Sequence, residues 1–318
     1  MSLSITSIHE LCSLWGLGEV EAKKLSERAT LLETENGEKY ILKLKASTEN
    51  AAKEIELLKQ VDKVLNVQFP LLKNNEEYIV TYKNENYCLY QYIEGTVLTA
   101  KVVITSDLPP KLLGNSLAIL HKAMNIPELH VNFPSKVLYE QVYNWAIHEI
   151  SSLSENDQIT YIFSKLHLEL KRRIECLPTQ LIHRDAHIHN FIFREDEFSG
   201  VIDFDLVEQN VRILDLCYCS TSVLSEIFPD ALLRGSWIKF VGNLFKHYDH
   251  ENPLLEMELE AAWYVMLCIQ AIFMAYFVKY PSIFEINKAM FIWIYENKGK
   301  LENELAQIKL NTLDKRKN

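Results

Sequence analysis

Short extended runs fill the first ninety or so residues, and helical periodicity fills most of the rest. Residues 21–27 and 29–35 read as strands. Asn36-Gly37 then turns the chain into 40–45, where Tyr40, Leu42 and Leu44 alternate against Ile41 and Lys43. Two extended runs joined by Asn-Gly predict a hairpin, because those residues tolerate the left-handed backbone that a tight turn requires. Over Thr48–Val61 the apolar residues Ala51, Ile55, Leu58 and Val61 recur at helical spacing, which predicts a helix packed on the sheet. Residues 78–82 and 87–92 predict two more strands around a polar turn at 83–86. Past Glu94-Gly95 the period changes, with helices expected over 111–124, 139–150, 159–174, 238–248 and 254–279. The pattern predicts an α+β protein: a small lobe with an antiparallel sheet (1–92), then a larger, mainly helical lobe (93–318).

One island interrupts the helices, LIHRDAHIHNFIFREDEFSGVIDFD, residues 181–205. Leu181-Ile182 leads out of the core into a polar loop, 183–190. A strand is expected at 191–193, a turn at 195–199, and a second strand at 200–204 with Asp203 and Asp205 at its end. Such a hairpin is expected to bring Asp185, Asn190 and Asp203 close together. Phosphoryl transfer uses that set: one carboxylate orients and deprotonates the acceptor hydroxyl, while an amide oxygen and a second carboxylate hold Mg²⁺ on the phosphates. His183-Arg184-Asp185 followed by Asn190 matches the spacing H-R-D-x-x-x-x-N, and Asp203-Phe204-Asp205 stands where D-F-G would, with Asp for Gly. Three histidines (His183, His187, His189) with Asp185 also suit a zinc site, but that reading leaves Asn190 and Asp203 unexplained.

Phosphate also needs a cation, held by an acid. Tyr40-Ile41-Leu42-Lys43 resembles a V-A-I-K strand. Of the acids on the following helix, Glu54 sits in line with Leu58 and Val61 and is the expected partner of Lys43. Lys45 lies on the same strand face as Lys43, so alternation alone does not separate them. No G-x-G-x-x-G is present. The segment 26–30, with the hydroxyls of Ser26 and Thr30, is the expected phosphate cover, and Gln91, Tyr92 and Ile93 are the expected adenine-binding segment.

The net charge of −10 argues against a nucleic-acid partner and suits a cationic acceptor by steering. Six cysteines, at 12, 88, 176, 217, 219 and 268, form no C-x-x-C and read as free thiols of a reducing compartment, the cytoplasm. The first residues carry His9 and Glu10 in place of a basic region and read as an amphipathic helix, not a signal peptide. Residues 261–278 are uncharged over eighteen positions, but Gln270 interrupts them, and a buried core helix is expected there, with no membrane span.

These residues together resemble the aminoglycoside phosphotransferase family, which includes choline, homoserine and methylthioribose kinases. The matching pieces are His183 to Asn190, Ile202-Asp203-Phe204-Asp205, Asp215-Leu216, Leu117-Ala118-Ile119-Leu120-His121 and Tyr92-Ile93-Glu94-Gly95, over about residues 20 to 220. Arg184 replaces the commoner Gly of the family. The resemblance implies a bilobal, protein-kinase-like fold and transfer of the γ-phosphate of ATP, with Mg²⁺, to a hydroxyl of a small molecule. It implies Asp185 as catalytic base, Asn190 and Asp203 as Mg²⁺ ligands, Lys43 as phosphate clamp with Glu54, and Asp215 as a brace for the loop. Only nine residues separate Asp205 from Asp215, too few for the activation segment of a protein kinase. The other expectation is a kinase-like protein that binds a nucleotide or partner without turnover.

Overall fold

The structure, a computed structural model, describes residues 5–73, 77–153 and 157–315. The chain divides into two compact units, one of residues 1–95 with 199–205 and the other of 96–198 with 206–318. The boundary expected after residue 92 thus falls at Gly95, and seven residues from the middle of the chain join the first unit.

The first unit opens with α1 (Ile5–Ser13), then β1 (Val20–Lys24), β2 (Ala29–Thr34), β3 (Lys39–Lys45), α2 (Thr48–Val61), β4 (Val80–Tyr82) and β5 (Glu85–Gln91). Residues 1–4 of the expected N-terminal helix lie outside the described residues. The strands form one antiparallel sheet in the order β1-β2-β3-β5-β4. Asn36-Gly37 makes the expected turn, with Gly37 at φ 80°. Leu42 of β3 and Leu89 of β5 face a core that also contains Leu11 and Cys12 of α1. Because side chains alternate along a strand, Ile41, Lys43 and Lys45 point to the opposite face. Helix α2 starts at the Ser47 hydroxyl, which accepts the Asn50 N–H, and buries Ala51, Glu54, Ile55, Leu58 and Val61.

The second unit begins with β6 (Thr96–Val97), α3 (Ala100–Thr105) and α4 (Leu108–Met124). A helix interrupted by a π-turn at Val142–Ala146 follows, as α5 (Leu138–Gln141) and α6 (Ile147–Ser151), and then α7 (Asp157–Glu175). The expected island holds the end of β7 (Thr179–Ile182), β8 (Phe191–Arg194) and β9 (Glu197–Val201), and a strand that was not expected, β10 (Glu208–Val211), follows it. Strand β9 stops at Val201, short of Asp203, whose φ of 70° breaks the extended run. Strand β10 pairs antiparallel with β7, Glu208 opposite Ile182. Five helices complete the unit: α8 (Leu214–Ile227), α9 (Ala231–Glu251), α10 (Glu256–Tyr276), α11 (Pro281–Glu296) and α12 (Lys298–Lys315). Helix α10 is long and apolar enough to cross a membrane, but every residue from Ala261 to Ile272 is buried inside the unit. Near the start of the same helix the buried Glu258 is paired with Arg212.

Candidate functional site

In the first unit β3 and α2 build an ion network. Glu54 accepts from Lys45, not from Lys43 as expected, and Lys45 also pairs with Asp205. Lys43 instead meets Asp203 Oδ1 at 3.3 Å. Both lysines leave the same face of β3, but Lys45 is the one wholly enclosed, with 2 % of its side chain exposed against 11 % for Lys43. The Tyr90 hydroxyl donates to Glu54 Oε1 at 3.1 Å, and Arg28 reaches Asp205 Oδ2 at 3.1 Å. Burial pushes the Lys45 ammonium down, but Glu54 and Asp205 outweigh it and raise its pKa. Burial likewise pushes Asp205 up, and Lys45, Lys43 and Arg28 reverse that, holding it below the usual carboxylate range. Glu54 is the member of the cluster that burial lifts above its ordinary value.

The segment carrying Asp203 and Asp205 is fixed from within the first unit. Val201 exchanges backbone hydrogen bonds with Asn66 and Gln68, and the Ser199 hydroxyl donates to Glu94 O at 2.8 Å. Gly200 permits this approach, since a Cβ there would meet Ile93 Cδ1 at 2.7 Å.

The expected phosphate cover is differently placed. Thr30 lies in β2, opposite Lys24 and Leu42, and is not a loop residue. Ser26 is in the turn, but its hydroxyl accepts the N–H groups of Arg28 and Ala29, while Leu25 and Ser26 N–H both donate to Ala29 O. Those donors close the turn on itself. At the expected adenine segment the Gln91 N–H donates to Phe69 O and the Tyr92 N–H to Lys39 O, so the backbone donors of these two residues are engaged; Ile93 packs toward Gly200.

In the second unit the loop 183–190 hangs from one buried carboxylate. Asp215, at the start of α8, accepts the His183 N–H at 2.8 Å and the Arg184 N–H at 2.9 Å. Its Oδ2 also lies 3.0 Å from His121 Nε2 of α4, and His121 Nδ1 is 2.8 Å from the Tyr248 hydroxyl. Arg184 takes φ 70°, a region that disfavours side chains, and its Nε sits 3.2 Å from Glu208 on β10. Its side chain is therefore paired inward with an acid.

This brace presents Asp185. The Asn190 amide Nδ2 donates to Asp185 O at 2.8 Å and to its Oδ2 at 3.2 Å. The Tyr218 hydroxyl donates to Oδ1 at 2.9 Å, and His187 Nε2 stands 3.6 Å from Oδ2. His187 Nδ1 accepts the His189 N–H, so the ring proton is on Nε2, facing the carboxylate. Burial pushes the Asp185 carboxyl up; His187, the Tyr218 hydroxyl and His183 together outweigh it and hold the group below its ordinary value. His189 is drawn to Glu226 at 2.7 Å, and no cluster of three or more His, Cys, Asp or Glu disposed to hold a metal occurs among the described residues.

Beside this loop, within the same unit, lies a cavity of about 320 Å³ between α8, α10 and α11. Tyr218 lines it, in a stack with Phe273 at 5.7 Å between ring centres and 5° between planes. Sequence reading missed Tyr218, though a signal existed: it is three residues beyond Asp215 on a helix, hence on the same face.

Magnesium takes hard oxygen ligands and keeps several waters, so it needs only one or two protein groups. In the second unit Asn190 has its Nδ2 engaged on Asp185, so the atom of a kind magnesium takes is its Oδ1. Asp203, with 41 % of its side chain exposed, supplies a carboxylate.

A model of the phosphotransferase enzyme family matches residues 22–249. Among solved structures, a microcompartment-associated aminopropanol kinase superposes with a TM-score of 0.72 at 14 % identity, over 95 % of this chain and 100 % of that one. Amicoumacin kinase hAmiN, solved with AMP-PNP, Ca²⁺ and Ami, gives 0.67 at 15 % identity, over 94 % and 93 %. An aminoglycoside phosphotransferase from Alicyclobacillus acidocaldarius gives 0.67 at 14 % identity, over 94 % of each chain. At such identities the likeness is one of fold, a bilobal α+β architecture.

Proposed function

We propose that this chain, which belongs to the phosphotransferase enzyme family, transfers the γ-phosphate of ATP to a hydroxyl of a small molecule. The observation that carries the reading is Asp185, a mostly buried carboxylate kept ionised by its neighbours and held by Asn190, Tyr218 and His187. A base of that kind takes the acceptor's proton as the acceptor oxygen bonds to the γ-phosphorus. The bond from that phosphorus to the bridging oxygen breaks, ADP leaves with the electron pair, and Asp185 returns the proton to solvent. Lys45, fixed by Glu54 and Asp205, is the phosphate clamp of this reading, and Lys43 with Arg28 adds positive charge beside it. Asn190 in the second unit and Asp203 in the first each offer an oxygen of the kind Mg²⁺ takes, and that ion would neutralise charge on the phosphates when bound. The nucleotide half of the chemistry belongs to the first unit and the acceptor half to the second. Free thiols support a cytoplasmic location.

One experiment separates these roles. Turnover of Mg-ATP against a pool of hydroxyl-bearing metabolites and antibiotics is followed by mass, and nucleotide affinity by a fluorescent ATP analogue. Asp185→Asn should lose about 10²–10⁴-fold in kcat while keeping nucleotide affinity. Lys45→Met should lose nucleotide affinity. An Asp185→Asn protein as active as the intact one would sink the assignment, and an intact protein that binds no nucleotide would sink the reaction.

A further inference from the structure

The cavity beside Asp185 has a composition that bears on what enters it. None of its lining residues among those described is charged. Phe273 and Phe277 stack at 6.2 Å and 10°, continuing the plane-on-plane series from Tyr218. On the α11 side Ile283 and Ile286 are 39 % and 45 % exposed, an apolar lip on a surface where large aliphatic side chains are usually covered. Set among these groups is Gln270, in the middle of α10. It is 1 % exposed, it lines the cavity, and its Oε1 has no hydrogen-bond partner among the described residues.

A buried amide oxygen without a donor costs roughly 1–3 kcal/mol, so such a group in an otherwise apolar helix calls for a ligand that completes it. An oxygen accepts, so the ligand brings an N–H or O–H. The stacked rings give area to a flat apolar body. A polycation finds no carboxylate here: burying several ammonium groups without acids to pair them is far more costly than leaving one amide unpaired. The net charge of −10 therefore draws cations to the protein surface in general, while this cavity is neutral.

We propose that the acceptor is a hydroxyl compound with a flat, apolar, uncharged body, read by apolar contact with the Phe273 ring and by donation of an N–H or O–H to Gln270, and that polycationic amino sugars are not its substrates. The proposal rests on the phosphotransfer reading above, since it makes this cavity the acceptor subsite. Phe273 and Gln270 are then specificity determinants. The cavity's link to the chemistry is Tyr218, whose ring is part of the wall and whose hydroxyl engages the base.

The test reads binding without turnover. Saturation-transfer NMR titrations use N-acetylphenylalaninol, a neutral aromatic amide alcohol, and kanamycin, a polycation, on the full chain. The neutral probe should bind more tightly than kanamycin, and Phe273→Ala and Gln270→Leu should each weaken it by about tenfold, as loss of one neutral hydrogen bond or aromatic contact does. Gln270→Glu, nearly isosteric, should shift the preference toward kanamycin. Retained affinity for the fluorescent ATP analogue shows that each variant is folded, and Gln270→Glu serves where Gln270→Leu is not. Tighter binding of kanamycin by the intact protein overturns the proposal, as does unchanged affinity for the neutral probe in the Gln270 variants. Phosphorylation of kanamycin in the turnover assay would also overturn it while leaving the phosphotransfer reading intact; loss of nucleotide binding in the intact protein would remove that reading first.

Discussion

The Asp185 carboxyl is held below its ordinary value by what surrounds it, and His187 is the largest of those influences after burial itself. Its folded pKa lies below the ordinary value, so its charge contributes to stability above the unfolded aspartate pKa, and that contribution fades as pH falls through the folded one. The acid limb of kcat/KM should therefore lie below the usual aspartate range. In His187→Asn the upward push of burial is opposed without His187, by groups that include Tyr218 and His183, and the limb should move to higher pH. A pH–rate profile of both proteins checks this, and a limb that stays in place or moves down removes His187 as a positioning residue. Legibility at this scale was uneven. That Asn190 would stand beside Asp185 was readable because their spacing is a motif in one loop. The choice of Lys45 over Lys43 was not, since the two share a strand face and only the position of α2 decides which one meets Glu54. The left-handed backbone at Arg184 and Asp203 was equally hidden, because neither is a glycine and the sequence around them carries no turn signal that requires it.

Where local chemistry states an element's limits, those limits were readable. Helix α2 runs over the expected span because Ser47 caps its start and its apolar residues follow one face. Helix α9 begins at Ala231, earlier than the expected 238, because Asp230 caps it by accepting the Leu232 and Leu233 N–H groups. That Asp was a signal in plain view. Strand β10 had none: Glu208-Gln209-Asn210-Val211 is mostly polar, and only pairing with β7 makes it extended. Helix α10 is apolar all round, so its period gives no facing direction. The packing of α4 on α9 has a checkable consequence. A Cβ at Gly114 would come 2.6 Å from Leu244 O, a backbone atom that cannot swing away, whereas Gly235 has nothing within 4 Å. Alanine raises helix propensity at both sites by about 1 kcal/mol. At Gly114 overpacking of about 1–3 kcal/mol should exceed that gain. Denaturant titration should therefore show Gly114→Ala less stable and Gly235→Ala more stable than the parent. Equal and positive changes would mean that α4 and α9 stand farther apart.

At the scale of the whole molecule the cysteines report on each unit separately. Cys176 is exposed, while Cys12 and Cys88 are buried in the first unit and Cys217, Cys219 and Cys268 in the second. Burial pushes Cys12 up to about 11 and Cys88 up to about 12, and raises the other three further, so none of the five is a thiolate at neutral pH. Iodoacetamide should modify Cys176 alone in the native protein. With rising denaturant Cys12 and Cys88 should react first, because the smaller unit buries a smaller share of its surface. Mass spectrometry of quenched samples checks the order, and reaction of all five at one denaturant concentration would show a single cooperative unit. The lobed organisation was legible because the period of the sequence changes near Gly95. The return of Ser199–Asp205 to the first unit was not, because seven residues carry no period of their own. That return makes the two parts inseparable by any single cut. A fragment ending at Gly95 would retain Lys45 and Glu54 but lack the Asp205 that shares the ammonium, while its complement would carry an aspartate with no lysine. Such a protein cannot be assembled by fusing two genes end to end; its smaller part is complete only once nearly half of the larger one is synthesised.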